Sequence, residues 1–451
     1  MEITFMHILY IVLTILILVI MVSGREIVVP CIFAIFLIGF FNKFSIIDGM
    51  SGLFNSVVFA GQKFMEIILT ISIVSALSKL LSSINSDYLI MKPTEKFMKN
   101  QFCSFVILVA LMYLFSLFLW PSPTVALMGA VMLPIVYKKG MKPIVAAVGI
   151  NIAGHGMALS HDFVIKGAPS VTASTANITP EQILKDGNIL FILMNITVLL
   201  LTFVILRKDF KSTNIDYVKD EKNIEITKAS KIIAIMTPLF FLVDLIVIKF
   251  LGLKGGDATS LIVASSIFLL ITGTFLKDRD KSFDTIVEYL KEGFTFGIKI
   301  FTPVIFIGAF FFLGGSEITQ MLGEITYTSE GILTDIVLNI SSKIPLNNFF
   351  AVISMVVMGI ITGLDGSGFS GLPILGSLAY TLGESLNVKT SVLAAIGQIS
   401  TIWVGGGVLI PWSVVTVSGI CNVSPMELIR KNFIPVISGF IVVIITALFI
   451  L

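Results

Sequence analysis

Gly363-Leu364-Asp365-Gly366-Ser367-Gly368-Phe369-Ser370-Gly371 sets one acid and two serines among four glycines, with apolar sequence at 348–362 on one side and 372–382 on the other. A hydrocarbon core about 30 Å thick needs roughly 20 apolar residues per helix. Two shorter arms joined by glycines therefore predict a hairpin that enters and leaves the membrane on one side, with its polar turn at membrane depth. Non-helical backbone at that depth is tolerated only where it is buried in protein or lines a watery cavity, so a broken segment points to a transport site.

The pattern recurs. Trp120-Pro121-Ser122-Pro123-Thr124 lies between apolar stretches at 102–119 and 125–137, and at a fixed offset Ser122 aligns with Ser367, and Pro121 and Pro123 with Gly366 and Gly368. After a small shift, Ala146-Ala147-Val148-Gly149 matches Ala394-Ala395-Ile396-Gly397. At the original offset Asn177-Ile178-Thr179-Pro180 matches Asn422-Val423-Ser424-Pro425. Three landmarks in one order predict an internal duplication.

Composition sets the class. Of 451 residues 56% are hydrophobic and only 13% charged, whereas soluble domains are about 45–50% apolar. The chain reads as an all-α, polytopic integral membrane protein. A net charge of +2 and the lack of a basic run interleaved with aromatics exclude a nucleic-acid partner. Cys31, Cys103 and Cys421 lie far apart in apolar segments and read as neither a disulfide nor a metal site. The apolar run at 8–22 is preceded by Glu2 and no basic residue, so it reads as the first span and not as a cleaved leader.

Apolar runs predict spans at 4–22, 27–42 and 56–82, a hairpin at 102–137, an interrupted span at 143–176 and a span at 187–206. After a polar connector at 207–231 the plan repeats: 232–250, 258–276, 292–314, a hairpin at 346–383, an interrupted span at 389–421 and a span at 433–451. The expected architecture is two inverted repeats, 1–206 and 232–451, each with five spans and one re-entrant hairpin, because an odd number of crossings inverts the second copy. Twenty Lys and Arg fall on one side of this topology and five on the other. That asymmetry makes the first side cytoplasmic and puts both termini outside. The amphipathic stretches at 277–293 and 316–345 read as interfacial arms.

Candidate chemistry sits at the hairpin turns and in the interrupted spans. The first interrupted span runs Gly149-Ile150-Asn151-Ile152-Ala153-Gly154-His155-Gly156-Met157-Ala158-Leu159-Ser160-His161-Asp162. Its counterpart carries Ser400, Thr401 and Gly405-Gly406-Gly407 before Pro411. Glycines at this density predict unwinding, which leaves helix N-termini suited to a carboxylate and C-terminal carbonyls suited to Na⁺. Ser122, Thr124, Asn151, His155, Ser367, Ser370, Ser400 and Thr401 are the expected substrate-binding residues. His161, Asp162, Asp365, Gly154 and Gly405 are the expected ion-coupling positions, since a buried charge is costly unless it has a partner or a function. The competing reading is local: serines and threonines cap helices everywhere, and His161 and Asp162 pair with each other or with Lys166. Glu66, Asp244, Lys249 and Lys299 read as side chains reaching the interface.

Enzyme motifs do not fit. Gly366, Gly368 and Gly371 spell GxGxxG without a preceding strand, and Leu372 spoils a GxSxG elbow at Ser370. An intramembrane Ser/His hydrolase is only a formal alternative.

Paired Ser- and Gly-rich turns, each followed by an interrupted helix, resemble the ion transporter superfamily of elevator-type carriers, which includes gluconate permeases, citrate and dicarboxylate symporters and the large membrane subunit of TRAP transporters. The turns here read Pro121-Ser122-Pro123-Thr124 and Gly366-Ser367-Gly368, where the divalent-anion symporters carry Ser-Asn-Thr. The resemblance implies a scaffold of outer helices, a moving domain made from 102–176 and 346–421, and a dimer. The expected function is secondary active transport of a small organic anion, a carboxylate, coupled to Na⁺ or H⁺, with no cofactor and with membrane lipid around it. Two alternatives are a cation/proton antiporter using Asp162 and Asp365, and the membrane subunit of a system with a separate solute-binding protein.

Overall fold

The computed structural model describes residues 3–22, 25–210, 225–253, 256–315, 317–325, 331–332, 335–336, 339, 347–363, 368–369, 371–406, 408–409 and 411–451. All regular structure among them is helical, and eight helices are long and apolar enough to cross a membrane.

The outer helices of the first half are α1 (Phe5–Val22), α2 (Val28–Lys43) and α3 (Ile46–Ser83). Ser45 caps α3 by accepting from the Asp48 N–H at 3.3 Å. The helix starts ten residues before the predicted span because Gly49 and Gly52 let it pack closely on α2, against Phe36 and Gly39. A short α4 (Ser86–Met91) and a 3₁₀ turn (Lys92–Phe97) follow.

Next comes α5 (Gln101–Leu119), capped by Asn100, which accepts from the Cys103 N–H at 2.8 Å. It ends at Trp120, whose φ of 71° leaves the helical region. Proline at the first helical position then starts α6 (Pro121–Leu127), which continues through a π turn (Met128–Met132) into α7 (Leu133–Lys138). With 19 residues, roughly 28 Å, α5 is long enough to cross alone. The chain nevertheless returns to where it started: the Gln101 side-chain amide, at the start of α5, donates to the Gly140 carbonyl at 2.8 Å.

The glycine-dense stretch does not unwind. Helix α8 (Pro143–His161) runs through it, taking up the irregularity as a π turn at Ile152–Ala158. The break falls later, between Asp162 (φ 34°) and Lys166 (φ 61°), before α9 (Gly167–Ala176). Its glycines serve close packing instead: Gly149 abuts Phe105, Gly154 abuts Met112 and Ser116, and Gly156 abuts Trp403. A capping box between Thr179 and Gln182 opens α10 (Pro180–Asp186), and α11 (Asn188–Leu206) ends the half.

The second half holds α12 (Lys228–Leu251), α13 (Gly256–Lys277), α14 (Ser282–Phe312) and a short α15 (Ile318–Leu322). The expected interfacial arm at 277–293 is mostly the first part of α14: Ser282, Tyr289 and Gly293 are buried, and Glu292, at the edge of that buried face, pairs with Lys79 of α3 at 2.9 Å. Most of the second expected arm, 316–345, lies outside the described residues. Asp244 does not reach for the interface; it is buried in α12 and accepts from the Ser265 hydroxyl at 2.9 Å. Then come α16 (Asn348–Gly363), α17 (Leu372–Leu386), α18 (Thr390–Gly405), α19 (Pro411–Cys421) and α20 (Pro425–Ile450).

Two features organise the packing. Helices α3 and α14 cross antiparallel: Gly293 lies on Ser72 and Ala76, and Gly308 on Phe64. The hairpins also pack reciprocally on the short helices of the opposite half. Gly129, on the return arm of the first, abuts Ile420 in α19, and Gly376, on the return arm of the second, abuts Thr172 and Thr175 in α9. At the polar end beyond α11, Asp209 binds Lys142 at 3.1 Å and Lys431 at 2.8 Å, joining the two halves. The Lys431 ammonium, helped by Lys142, holds the Asp209 carboxyl below its ordinary value. The stabilisation is therefore complete above the ordinary carboxylate pKa of about 3.9 and is lost as pH falls through the lower folded value. Because the cluster is partly exposed, its worth is about 1 kcal/mol or less. Asp209→Asn is expected to lower stability slightly at neutral pH and to flatten the loss below pH 4, read from detergent melting curves.

Candidate functional site

The described residues at both hairpin tips and both helix breaks converge on one place. The indole of Trp120, at the first tip, lies 5.5 Å from the ring of Phe369 at the second, centroid to centroid. The same indole covers Gly167, the first residue of α9 beyond the first break; a β-carbon there would lie 2.8 Å from the ring. At the second tip Gly368, with φ of 68°, sits on the backbone of Gly406, which follows α18 at the second break. Only a residue without a side chain allows that approach and that φ. Phe369 also contacts Phe301 of α14, with centroids 6.1 Å apart, so the second tip rests on the long crossed helices.

The two interrupted helices are bolted together beneath the tips. The Gln398 side-chain amide donates to the Ser160 carbonyl at 2.8 Å, and the Trp403 indole N–H donates to the Ser160 hydroxyl at 3.1 Å. All three residues are buried. On the other side of α18, Gly359 and Gly363 of α16 let the hairpin arm touch Ser400, Thr401 and Gly405, and the Thr362 hydroxyl donates to that of Thr401 at 3.1 Å.

The predicted site residues that the structure describes are placed as follows. Ser122 is half-buried at the first tip. Thr124 is buried and donates to the Trp120 carbonyl at 2.8 Å, closing the turn. Asn151 and His155 are buried in α8. The Ser400 hydroxyl donates within its own helix to the Ile396 carbonyl at 2.8 Å. Gly154 and Gly405 are points of close helix approach. His161 stacks on Phe191 with centroids 4.9 Å apart and planes 10° apart. Asp365, Ser367 and Ser370 lie outside the described residues.

Asp162 stands at the first break, ahead of α9. Its carboxylate accepts from the backbone N–H groups of Lys166 and Ala168, each at 3.1 Å, and so occupies the positive N-terminus of α9. Lys166 turns away to Glu181 at 2.7 Å. Asp162→Ala leaves the Lys166 N–H its bond to the backbone carbonyl of residue 162 at 2.9 Å but removes the acceptor of the Ala168 N–H, and is expected to cost about 1–3 kcal/mol. Asp162→Asn keeps one acceptor and should lose less, as thermal unfolding in detergent would show.

Beside the first break a polar cavity of about 180 Å³ opens between α3, α9 and α13, lined by Lys63, Glu66, Thr70, Ser170, Ser174 and Thr259. Ile165 of the break borders it.

No family model matches the chain. It is 36% identical to the uncharacterized membrane protein YhfA of Bacillus subtilis (strain 168), over 99% of this chain and 98% of YhfA. The chain belongs to the YhfA family of membrane proteins. Among solved structures it is similar to the YdaH transporter of Alcanivorax borkumensis, whose crystal structure is described as revealing an unusual topology. The TM-score is 0.56 over 98% of this chain and 97% of that one, at 10% identity. At that identity the likeness shows the fold: this YhfA-family protein is an all-helical membrane protein with the fold of a transporter.

The residues that assemble the centre of this YhfA-family fold include several that the sequence reading passed over: Trp120, Ser160, Thr362, Phe369, Gln398 and Trp403. One clue was present. The chain has only three tryptophans, and two of them stand at a hairpin turn and beside a triple glycine.

Proposed function

We propose that the protein is a secondary active carrier of a small organic anion, a carboxylate, coupled to Na⁺ or H⁺. The observation that carries this reading is the convergence of two hairpin tips and two helix breaks, with Trp120 bridging Phe369 and Gly167 and with Gly368 on Gly406. Broken helices meeting inside a membrane protein are the architecture of ion and solute sites in secondary carriers. The anion preference is supported by direction: each return arm starts at its tip, α6 at Pro121 and α17 at Leu372. Both helix N-termini, the positive ends, thus sit at the convergence.

In this reading 1–206 and 232–451 are inverted repeats joined by 207–231, with both termini outside. The reciprocal contacts of Gly129 with Ile420 and of Gly376 with Thr175 support the repeat, since a two-fold relation makes each contact imply the other. The hairpins with their broken helices, 102–176 and 346–421, move as an elevator against a scaffold centred on the α3–α14 crossing, within a dimer. Ser122 and Ser367 at the tips contact the solute. The polar cavity lined by Lys63, Ser170 and Ser174 is its approach between scaffold and moving domain.

The test is uptake by the purified chain in liposomes, using a panel of labelled organic acids under a Na⁺ gradient and then a pH gradient. Uptake of one acid that follows a gradient and falls at least tenfold in Ser122→Ala/Ser367→Ala supports the reading. No acid taken up, but Na⁺-driven proton movement lost in Asp365→Asn, replaces it with cation/proton antiport.

A further inference from the structure

We propose that the lysine-rich end of α4 and the groove between α5 and α12 together bind one anionic phospholipid, its phosphate among four lysines and an acyl chain in the groove.

The headgroup site is a cavity of about 660 Å³ whose charged lining is Lys92, Lys96, Lys99 and Lys139 against the single acid Glu95. Three of the lysines lie within one turn-rich segment, but the fourth arrives from the far end of the first hairpin. The Gln101 to Gly140 hydrogen bond that closes the hairpin brings it there. None of the four is joined to an acid by an ion pair among the described residues. Lys92 instead lies over the Tyr88 ring, 5.1 Å from its centroid. Four lysines against one acid leave an excess of positive charge at a membrane-protein surface, which an anionic headgroup matches.

The acyl site begins one residue away. Leu89 lines the lysine cavity, and Ile90 lines a second cavity of about 330 Å³ whose walls include Phe115, Phe118, Phe241 and Leu245. Thr237 is the one polar residue on its lining. The groove follows α12 from Thr237 to Leu245, roughly 12 Å at the helical rise. The stacked rings of Phe118 and Phe241, 4.8 Å apart, form its wall. Its lining residue Leu242 is 55% exposed, and Leu239 and Ile246 on the same helix are exposed beside it, so the groove opens on a lipid-facing surface. Exposed Phe97 and Phe102 flank the lysines at the level where aromatic side chains meet headgroups. A free phosphate or soluble acid would engage the lysines alone. With Leu89 lining one cavity and Ile90 the other, the charged and apolar sites neighbour each other on α4, which suits a ligand with a charged head and an apolar tail.

Native mass spectrometry of the full chain in detergent tests this with three probes: phosphatidylglycerol, phosphatidylcholine and inorganic phosphate. The expected result is one phosphatidylglycerol retained per chain, at least tenfold above phosphatidylcholine, and undisturbed by an equal concentration of phosphate. Exchanging Lys92, Lys96, Lys99 and Lys139 for Gln should reduce retention at least tenfold, while exchanging all four for Arg should preserve it. Leu242→Trp, which fills the groove from its exposed wall, should reduce it with every lysine in place, and this variant carries the test if the Gln variant does not fold. Equal retention of both lipids, displacement by phosphate, or unchanged retention in the Gln or Trp variant would overturn the proposal.

Discussion

Trp403→Ala is expected to be the most damaging single substitution at the centre of this protein. The side chain is fully buried, lies against Gly156 of α8 and donates to Ser160. Truncating a buried tryptophan costs about 3–5 kcal/mol through lost contacts and the cavity left behind. Here the cavity opens between the two interrupted helices, so the loss falls on the contact that holds them in register. Trp403→Phe keeps most of the ring and loses only the N–H donor, about 1 kcal/mol. Melting curves in detergent should rank wild type, Phe and Ala in that order. Solute uptake should survive in the Phe variant and fail in the Ala variant even below its melting temperature.

Gly363→Val should be nearly as severe for the opposite reason. A β-carbon at Gly363 would lie 2.9 Å from the Thr401 carbonyl oxygen and 3.0 Å from the Gly405 nitrogen. Those neighbours are backbone, which cannot rotate aside, so relief requires α16 and α18 to separate. Overpacking of this kind costs about 1–3 kcal/mol. Separation would also break the Thr362–Thr401 hydrogen bond and shift the second tip relative to Gly406. Gly419→Val is the control: nothing lies within 4 Å of a β-carbon there, so it should melt close to wild type. A Gly363→Val protein that melts and transports like the Gly419→Val one would show that the close crossing of α16 and α18 is unimportant.

Much of this architecture is legible in the residues. Long apolar runs mark α1, α2, α11, α12, α13 and α20 to within a few residues, except that α20 begins eight residues early, at Pro425. Trp120-Pro121 and the triple glycine at 405–407 mark true interruptions, because proline and glycine act on the local backbone whatever surrounds them. The first helix break was less legible. Glycines at 149, 154 and 156 look like breakers, yet each is used for close approach by a neighbouring helix, which depends on partners distant in sequence. The actual break at 162–166 carries no glycine or proline and is held by Asp162, whose carboxylate binds the first turn of α9. Charged residues also hid the early part of α14, since a helix with one polar face reads as interfacial until its packing on α3 is known. Asp244 reads as a side chain reaching the interface for the same reason: its partner Ser265 lies on another helix.

The central claim is that the two hairpin tips close around the transported solute. Its most direct test is uptake by a Trp120→Cys/Phe369→Cys variant, with Cys31, Cys103 and Cys421 replaced by Ser, before and after treatment with a bis-methanethiosulfonate crosslinker, which forms a disulfide at each cysteine with loss of sulfinate and is cleaved by reductant. The two side chains meet ring to ring, with centroids 5.5 Å apart, so a reagent that fills the space of both rings should join the cysteines. Uptake should stop on crosslinking and return on cleavage. Failure to crosslink, or transport at the uncrosslinked rate with the tips joined, would contradict the account.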